Sequence, residues 1–153
     1  FEVTQESDGA GVAEKLNGGM PQGLHVLDCY PAQRPVRELA WLRAAVELEY
    51  DAGVPEGAAD ALRELLARSE LIIQKRTKRK ELADVDIAPM IGKVELNEEP
   101  HRICGTITVR AQNPCLNPQL LEKAIAKYRP DLQPDFMRVR RLAFLDEAGN
   151  NFR

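Results

Sequence analysis

Apolar and polar positions alternate from Arg43 onward: Ala44, Val46, Leu48 and Tyr50 against Ala45, Glu47, Glu49 and Asp51, the two-residue period of a half-buried strand. Pro55 sits where a first helical turn tolerates proline. Ala58, Leu62, Leu65 and Leu66 then supply the apolar face of a helix running to Arg68. Leu71, Ile72 and Ile73 predict a second strand that runs into a basic tract. Asp84 to Ile91 reads as a turn, and Gly92 releases Lys93 to Leu96. Asn97 to Pro100 is a further turn before a strand over 102–111, where Ile103, Ile107 and Val109 alternate with Cys104, Thr106 and Thr108. Asn117-Pro118 is an N-cap and first-turn pair, with Leu121, Ala124, Ile125 and Tyr128 at i, i+3, i+4 and i+7. Pro130 ends that helix, and Phe136 to Leu145 predicts the last strand.

Ahead of this run the pattern is sparser. Asp8 can cap a short helix carrying Val12, Ala13 and Leu16, stopped by Gly18 and Gly19, and Leu24, Val26 and Leu27 read as a strand closed by Pro31. Phe1 to Val3 reads as the tail of a strand already under way, so the chain is expected to be a fragment whose first unit lacks its opening half. The expected class is α+β. Residues 43–153 form a ferredoxin-like, split βαβ domain, read as strand, helix, strand, strand hairpin, helix, strand. Residues 1–38 form the second half of a similar unit, a strand-helix-strand remnant. In such a sheet the spatial order is fourth, first, third, second strand, which sets Glu47 and Glu49 beside Arg138 and Arg140.

Composition changes this picture little. Of 153 residues, 44% are hydrophobic and 29% charged, which suits a globular domain, whereas aromatics at 5% throw burial onto Leu, Ile, Val and Ala. The net charge of −3 is uneven: residues 1–42 hold three cations and six carboxylates, and the remainder holds eighteen of each. Basic surface on the longer part must therefore be local. Cys29, Cys104 and Cys115 leave one thiol over under any pairing and form no C-x-x-C, which favours a reducing cytoplasm. No apolar run reaches membrane-spanning length.

Most site chemistry lacks its residues. His25 and His101 are too few and too distant for a local metal site, and no P-loop, dinucleotide fingerprint or serine elbow is present, so no cofactor or metal is expected. Cys115, between two Asn-Pro pairs at a helix entrance, is the best-placed nucleophile, though a catalytic thiol also needs a base. Asp84 and Asp86 share a face of an extended segment, where they can bind a cation or act as an acid-base pair. The simpler reading is that they hydrogen-bond backbone at a turn before Pro89. The open sheet face, with Glu47, Glu49, Cys104, Thr106 and Thr108, offers no aromatic for stacking bases.

The feature that keeps a functional claim is Lys75, Arg76, Lys78, Arg79 and Lys80, five cations in six residues with Glu81 alone close by. They can neutralise four or five phosphates of an RNA backbone, or be a solvated loop. The stretch from Ile72 to Ile91, which contains this tract, resembles the uncharacterised radical SAM-linked family of bacteria. That family is found beside, or fused to the C-terminal end of, a cobalamin-binding-type radical SAM protein. Leu16 to Asp28 and Arg138 to Phe144 add shorter matches. Two departures stand out: the family's Ser-His-Leu-Asp and Gly-Phe-Asn-Pro-His-Pro segments have no counterpart, and no C-x-x-x-C-x-x-C is present to hold an iron-sulfur cluster. The resemblance implies a radical SAM partner; together with the lack of an assembled active site and the isolated cation cluster, this points to a non-catalytic accessory or substrate-binding domain that presents RNA through the basic loop. The alternative is an interaction module whose basic loop docks an acidic patch on that partner.

Overall fold

The computed structural model describes residues 8–76 and 81–152. The described residues fall into two compact units, one ending at Pro35 and one of Val36–Phe152.

In the first unit, helix α1 spans Gly9–Asn17 and is capped as expected, with the Gly11 amide donating to Asp8 Oδ1 at 2.6 Å. Leu24 to Leu27 does not form the expected strand; residues 21–35 carry no strand. A strand needs a neighbour for its backbone groups, and here one side chain serves instead. The Val26 amide donates to Asn17 Oδ1 at 2.7 Å, and Asn17 Nδ2 donates to the Val26 carbonyl at 3.1 Å. Leu24 and Leu27 stay exposed.

The second unit is α+β. Its strands are β1 (Trp41–Glu49), β2 (Ile72–Arg76), β3 (Leu82–Asp86), β4 (Ile91–Glu99), β5 (Arg102–Arg110) and β6 (Phe136–Leu145), with helices α2 (Ala58–Leu66) and α3 (Leu121–Tyr128). An antiparallel sheet runs β4-β5-β1-β6, so the last strand lies beside the first, as expected. Ala44, Val46 and Leu48 of β1 and Ile103, Ile107 and Val109 of β5 face a core completed by Leu62, Leu65 and Leu66 of α2 and by Leu121, Ala124 and Ile125 of α3. Glu98 of β4 ties α2 to the sheet: Gly57 at the N-cap has no side chain to offer, and the Ala59 amide donates to Glu98 Oε1 at 2.7 Å.

Two expectations about the strands need correction. Leu71 to Ile73 does not enter this sheet. It starts β2, which pairs with β3 in a separate two-stranded hairpin, and the sheet's second strand is β4. The segment after the basic tract is correspondingly a strand, and only Ala88–Met90 turns. Asp86 makes that turn: its Oδ1 accepts from the Leu71 amide at 2.8 Å and the Ala88 amide at 3.0 Å. Strand β4 also runs on to Glu99 through the expected turn at Asn97.

Tyr50, just past β1, is buried, and its hydroxyl donates to the Leu132 carbonyl at 3.0 Å. Burial first, then the charges of Asp135 and Glu98, push its phenol up from 10.0 to about 12. The folded value lies above the unfolded one, so this group's contribution is complete below the unfolded value and is lost as pH rises through the folded one. A near-ultraviolet absorbance titration should therefore show a late tyrosinate step from Tyr50, with stability declining across the window from 10.0 to about 12. In the Tyr50→Phe variant the late absorbance step should vanish.

Candidate nucleic-acid interface

Hairpin β2–β3 presents the base of the basic tract, and α3 lies against β2. Alternation fixes which backbone groups point where. The Leu71 carbonyl faces the β3 side, accepting from the Ile87 amide at 2.9 Å, so Ile72 and Gln74 turn their backbone groups outward. Side chains of α3 close that outer edge. Tyr128 Oη accepts from the Ile72 amide at 3.0 Å and donates to the Ile72 carbonyl at 3.1 Å, pairing with one residue as a neighbouring strand would. Lys127 Nζ donates to the Ile72 carbonyl at 2.8 Å and Lys123 Nζ to the Gln74 carbonyl at 3.5 Å. The match is geometric, since residues four apart on a helix rise by about 6 Å and residues two apart on a strand by about 6.6 Å.

Replacing Tyr128 by Phe leaves both Ile72 groups without that partner. We expect a loss of about 1–3 kcal/mol, and faster hydrogen exchange at the Ile72 amide. Exchange unchanged in Tyr128→Phe would mean the hydroxyl does not hold the strand.

This packing gathers charge. Arg68 places its guanidinium 5.3 Å from the centre of the Tyr128 ring, and Lys127 Nζ lies 5.1 Å from it. Among the described residues none of Arg68, Lys75, Lys123 and Lys127 has a carboxylate partner, whereas neighbouring Arg129 is held by Asp131 at 2.7 Å. Of the tract singled out in the sequence, Lys75 is half-buried on β2, and Arg76 closes that strand by pairing with Leu82. Lys78, Arg79 and Lys80 lie outside the described residues. Lys123, Lys127 and Arg68 were not legible as part of a site, because nothing in a sequence says that α3 docks along β2.

The open sheet face is electrostatically different. Arg138 reaches Glu47 and Glu49, each at 3.4 Å, and Arg102 bridges Glu47 at 3.1 Å and Glu99 at 2.6 Å. Arg140 stands opposite Ala45 rather than a carboxylate, so the expected cross-strand ladder forms through Arg138 alone, with Arg102 as an unforeseen second cation. The expectation of a face without aromatics also needs correction, because β1 begins two residues earlier than the alternation suggested. Trp41 shares the face with Arg43, and Phe136 sits opposite Glu49. Trp41 is nonetheless occupied: the Arg110 guanidinium lies 4.1 Å from its ring centre, and Glu147 holds that guanidinium through contacts of 2.6 and 2.8 Å. The Glu147 carboxyl is held below its ordinary value chiefly by that hydrogen bond.

The other candidates are dispersed. Cys104 is half-buried on the sheet, its thiol pushed up by burial and then by Glu99, the opposite of an activated nucleophile. Cys115 is exposed in the loop before α3, where the backbone entrance is capped by Asn117, which accepts from the Gln119 amide at 3.1 Å. Asp86 is engaged by backbone amides, and Asp84 is exposed opposite Gln74. His25 sits within hydrogen-bond reach of Asn17 at 3.4 Å in the first unit, and His101 lies 3.3 Å from the Tyr50 carbonyl in the second. Among the described residues no group of three or more His, Cys, Asp or Glu is placed to hold a metal ion, and no helix is long and apolar enough to cross a membrane.

A family model described as an uncharacterized protein conserved in bacteria (DUF2344) matches residues 1–118. No curated protein and no solved structure matches the chain.

Proposed function

We propose, from the premise that this chain belongs to the DUF2344 family of uncharacterized proteins conserved in bacteria, that it is a non-catalytic accessory domain that binds RNA. It would present that RNA to a radical SAM partner, the partner being what the resemblance of Ile72–Ile91 implies. The observation that carries the RNA reading is the set of cations along β2 and α3, Arg68, Lys75, Lys123 and Lys127, which lack carboxylate partners among the described residues. With Arg76, Lys78, Arg79 and Lys80 continuing the same stretch of chain, they suit a phosphate backbone rather than base edges. Tyr128 is committed to Ile72 and Trp41 to Arg110, so neither supplies a stacking platform. The RNA approaches from the α3 side of β2, because Asp84 occupies the β3 side.

Binding of an unstructured RNA, followed by fluorescence anisotropy over a salt series, tests this. The expected result is affinity that falls steeply with salt and is lost on reversing Lys78, Arg79 and Lys80 to Glu. Absence of binding at low salt, or binding indifferent to those reversals, would refute it. Co-purification with a radical SAM protein that resists nuclease but is lost with the same reversals would favour the basic loop as a protein-docking element instead.

A further inference from the structure

Strand β6 ends the main sheet, with β1 on its inner side. Among the described residues its outer side is occupied at one end only. Leu145 bridges antiparallel to Asn151, the Phe152 amide donates to the Phe144 carbonyl at 2.8 Å, and the Asp146 amide donates to the Asn150 carbonyl at 2.9 Å. From Phe136 to Ala143 no strand lies on that side among the described residues. Such an edge presents backbone donors and acceptors at every second residue and templates an added strand.

The side chains along this stretch select what can be added. Arg138, Arg140 and Arg141 are exposed, together with Phe136 at 52% and Leu142 at 41%. Arg138 already reaches Glu47 and Glu49. Arg140 stands opposite Ala45 with no carboxylate partner among the described residues, and the Arg141 guanidinium lies 5.0 Å from the centre of the Phe144 ring, likewise without a carboxylate partner among them. Antiparallel pairing of two copies through this edge would set arginines against arginines, and like charges facing across strands are destabilising. The register shift between Arg43 and Ala44 leaves Leu142 as the extra residue on β6, a bulge that also limits indiscriminate edge pairing.

We infer that the Phe136–Arg141 edge of β6 receives an extended acidic segment of another protein, running antiparallel to β6 in line with the returning residues Asn150–Phe152. Carboxylates of the segment lie opposite Arg140 and Arg141, its backbone completes the ladder, and an apolar residue covers Phe136. The edge is distinct from the cations on β2 and α3, so this inference stands apart from RNA binding.

The test titrates the whole chain with a synthetic peptide whose two consecutive Glu face Arg141 and Arg140 and whose Val, four residues on, faces Phe136, and with its counterpart carrying Lys in place of Glu. Backbone amide shifts and hydrogen exchange provide the readout. The Glu peptide should slow exchange at outward-facing β6 amides, the Lys peptide should leave them unchanged, and R140E/R141E should weaken Glu-peptide binding about tenfold while core amide shifts stay in place. The inference is overturned if the perturbed amides are those around Lys75, Lys123 and Lys127 instead. It is equally overturned if both peptides act alike, or if R140E/R141E binds as tightly as the parent chain.

Discussion

Gly105→Ala is expected to unseat β4 from β5 and to destabilise the second unit by about 3 kcal/mol, the upper end of what overpacking costs. A Cβ built at Gly105 falls onto the Glu95 carbonyl oxygen and lies 2.9 Å from Leu96 Cα. Those are backbone atoms of the adjacent strand, which cannot rotate away as a side chain can. Gly92 supplies the comparison: a Cβ there meets Thr108 and the Trp41 ring at 3.4 Å, an ordinary contact. Thermal unfolding should show Gly105→Ala losing roughly 10 °C, with Gly92→Ala losing far less. Equal losses in the two variants would mean that β4 crosses β5 less closely than these distances require.

The second large effect belongs to α3. Lys123 and Lys127 each use one of three ammonium N–H groups on a β2 carbonyl, which leaves donors for a phosphate. Each phosphate neutralised on a single strand contributes about −0.7 to the slope of log affinity against log salt. Engagement of Arg68, Lys75, Lys123 and Lys127 then contributes about −2.8 to the slope, or about a 50-fold loss of affinity over a fourfold rise in salt, beyond what the basic tract adds. Replacing both α3 lysines with Gln should make the slope shallower by about 1.4, a loss about sevenfold smaller over the same rise in salt. These residues hold the edge of β2 as well as carrying charge, so the variant's amide exchange at Ile72 should be measured alongside. Tyr128 keeps the strand in place if the account is right.

Legibility in the sequence followed the reach of the pattern. Strand β6 and helix α3 appear where their periodicity predicts them, because burial of Met137 and Val139, and of Leu121, Ala124 and Ile125, depends on one face of one element. The hairpin was not legible. Leu71 and Ile73 are buried, and the same apolar pair would be required whether their strand joined the main sheet or paired with β3. Periodicity reports which face is covered and says nothing of which strand lies alongside. Trp41 escaped for a related reason: apolar Trp41 and Leu42 stand side by side at the start of β1, and only pairing with Arg110 and Leu145 shows which of them faces outward.

The site divides the same way. The cation run at 75–80 is visible as composition, whereas its extension through Lys123, Lys127 and Arg68 depends on contacts about 50 residues apart in sequence, such as Lys127 with Ile72. On a helix read alone, Lys123 and Lys127 are ordinary solvated positions flanking the apolar stripe. Their weight comes from where α3 is docked. The carboxylates did the reverse: Asp86, a candidate ligand by spacing, is consumed by the Leu71 and Ala88 amides.

The most direct test of the central claim, that the α3 lysines and the stem of β2 form one phosphate-binding surface, is the salt dependence of RNA binding by the Lys123→Gln/Lys127→Gln chain beside the parent. The account predicts a slope shallower by about 1.4 with the fold intact. An unchanged slope, with the basic tract still present in both chains, would confine any RNA contact to the tract and contradict the claim.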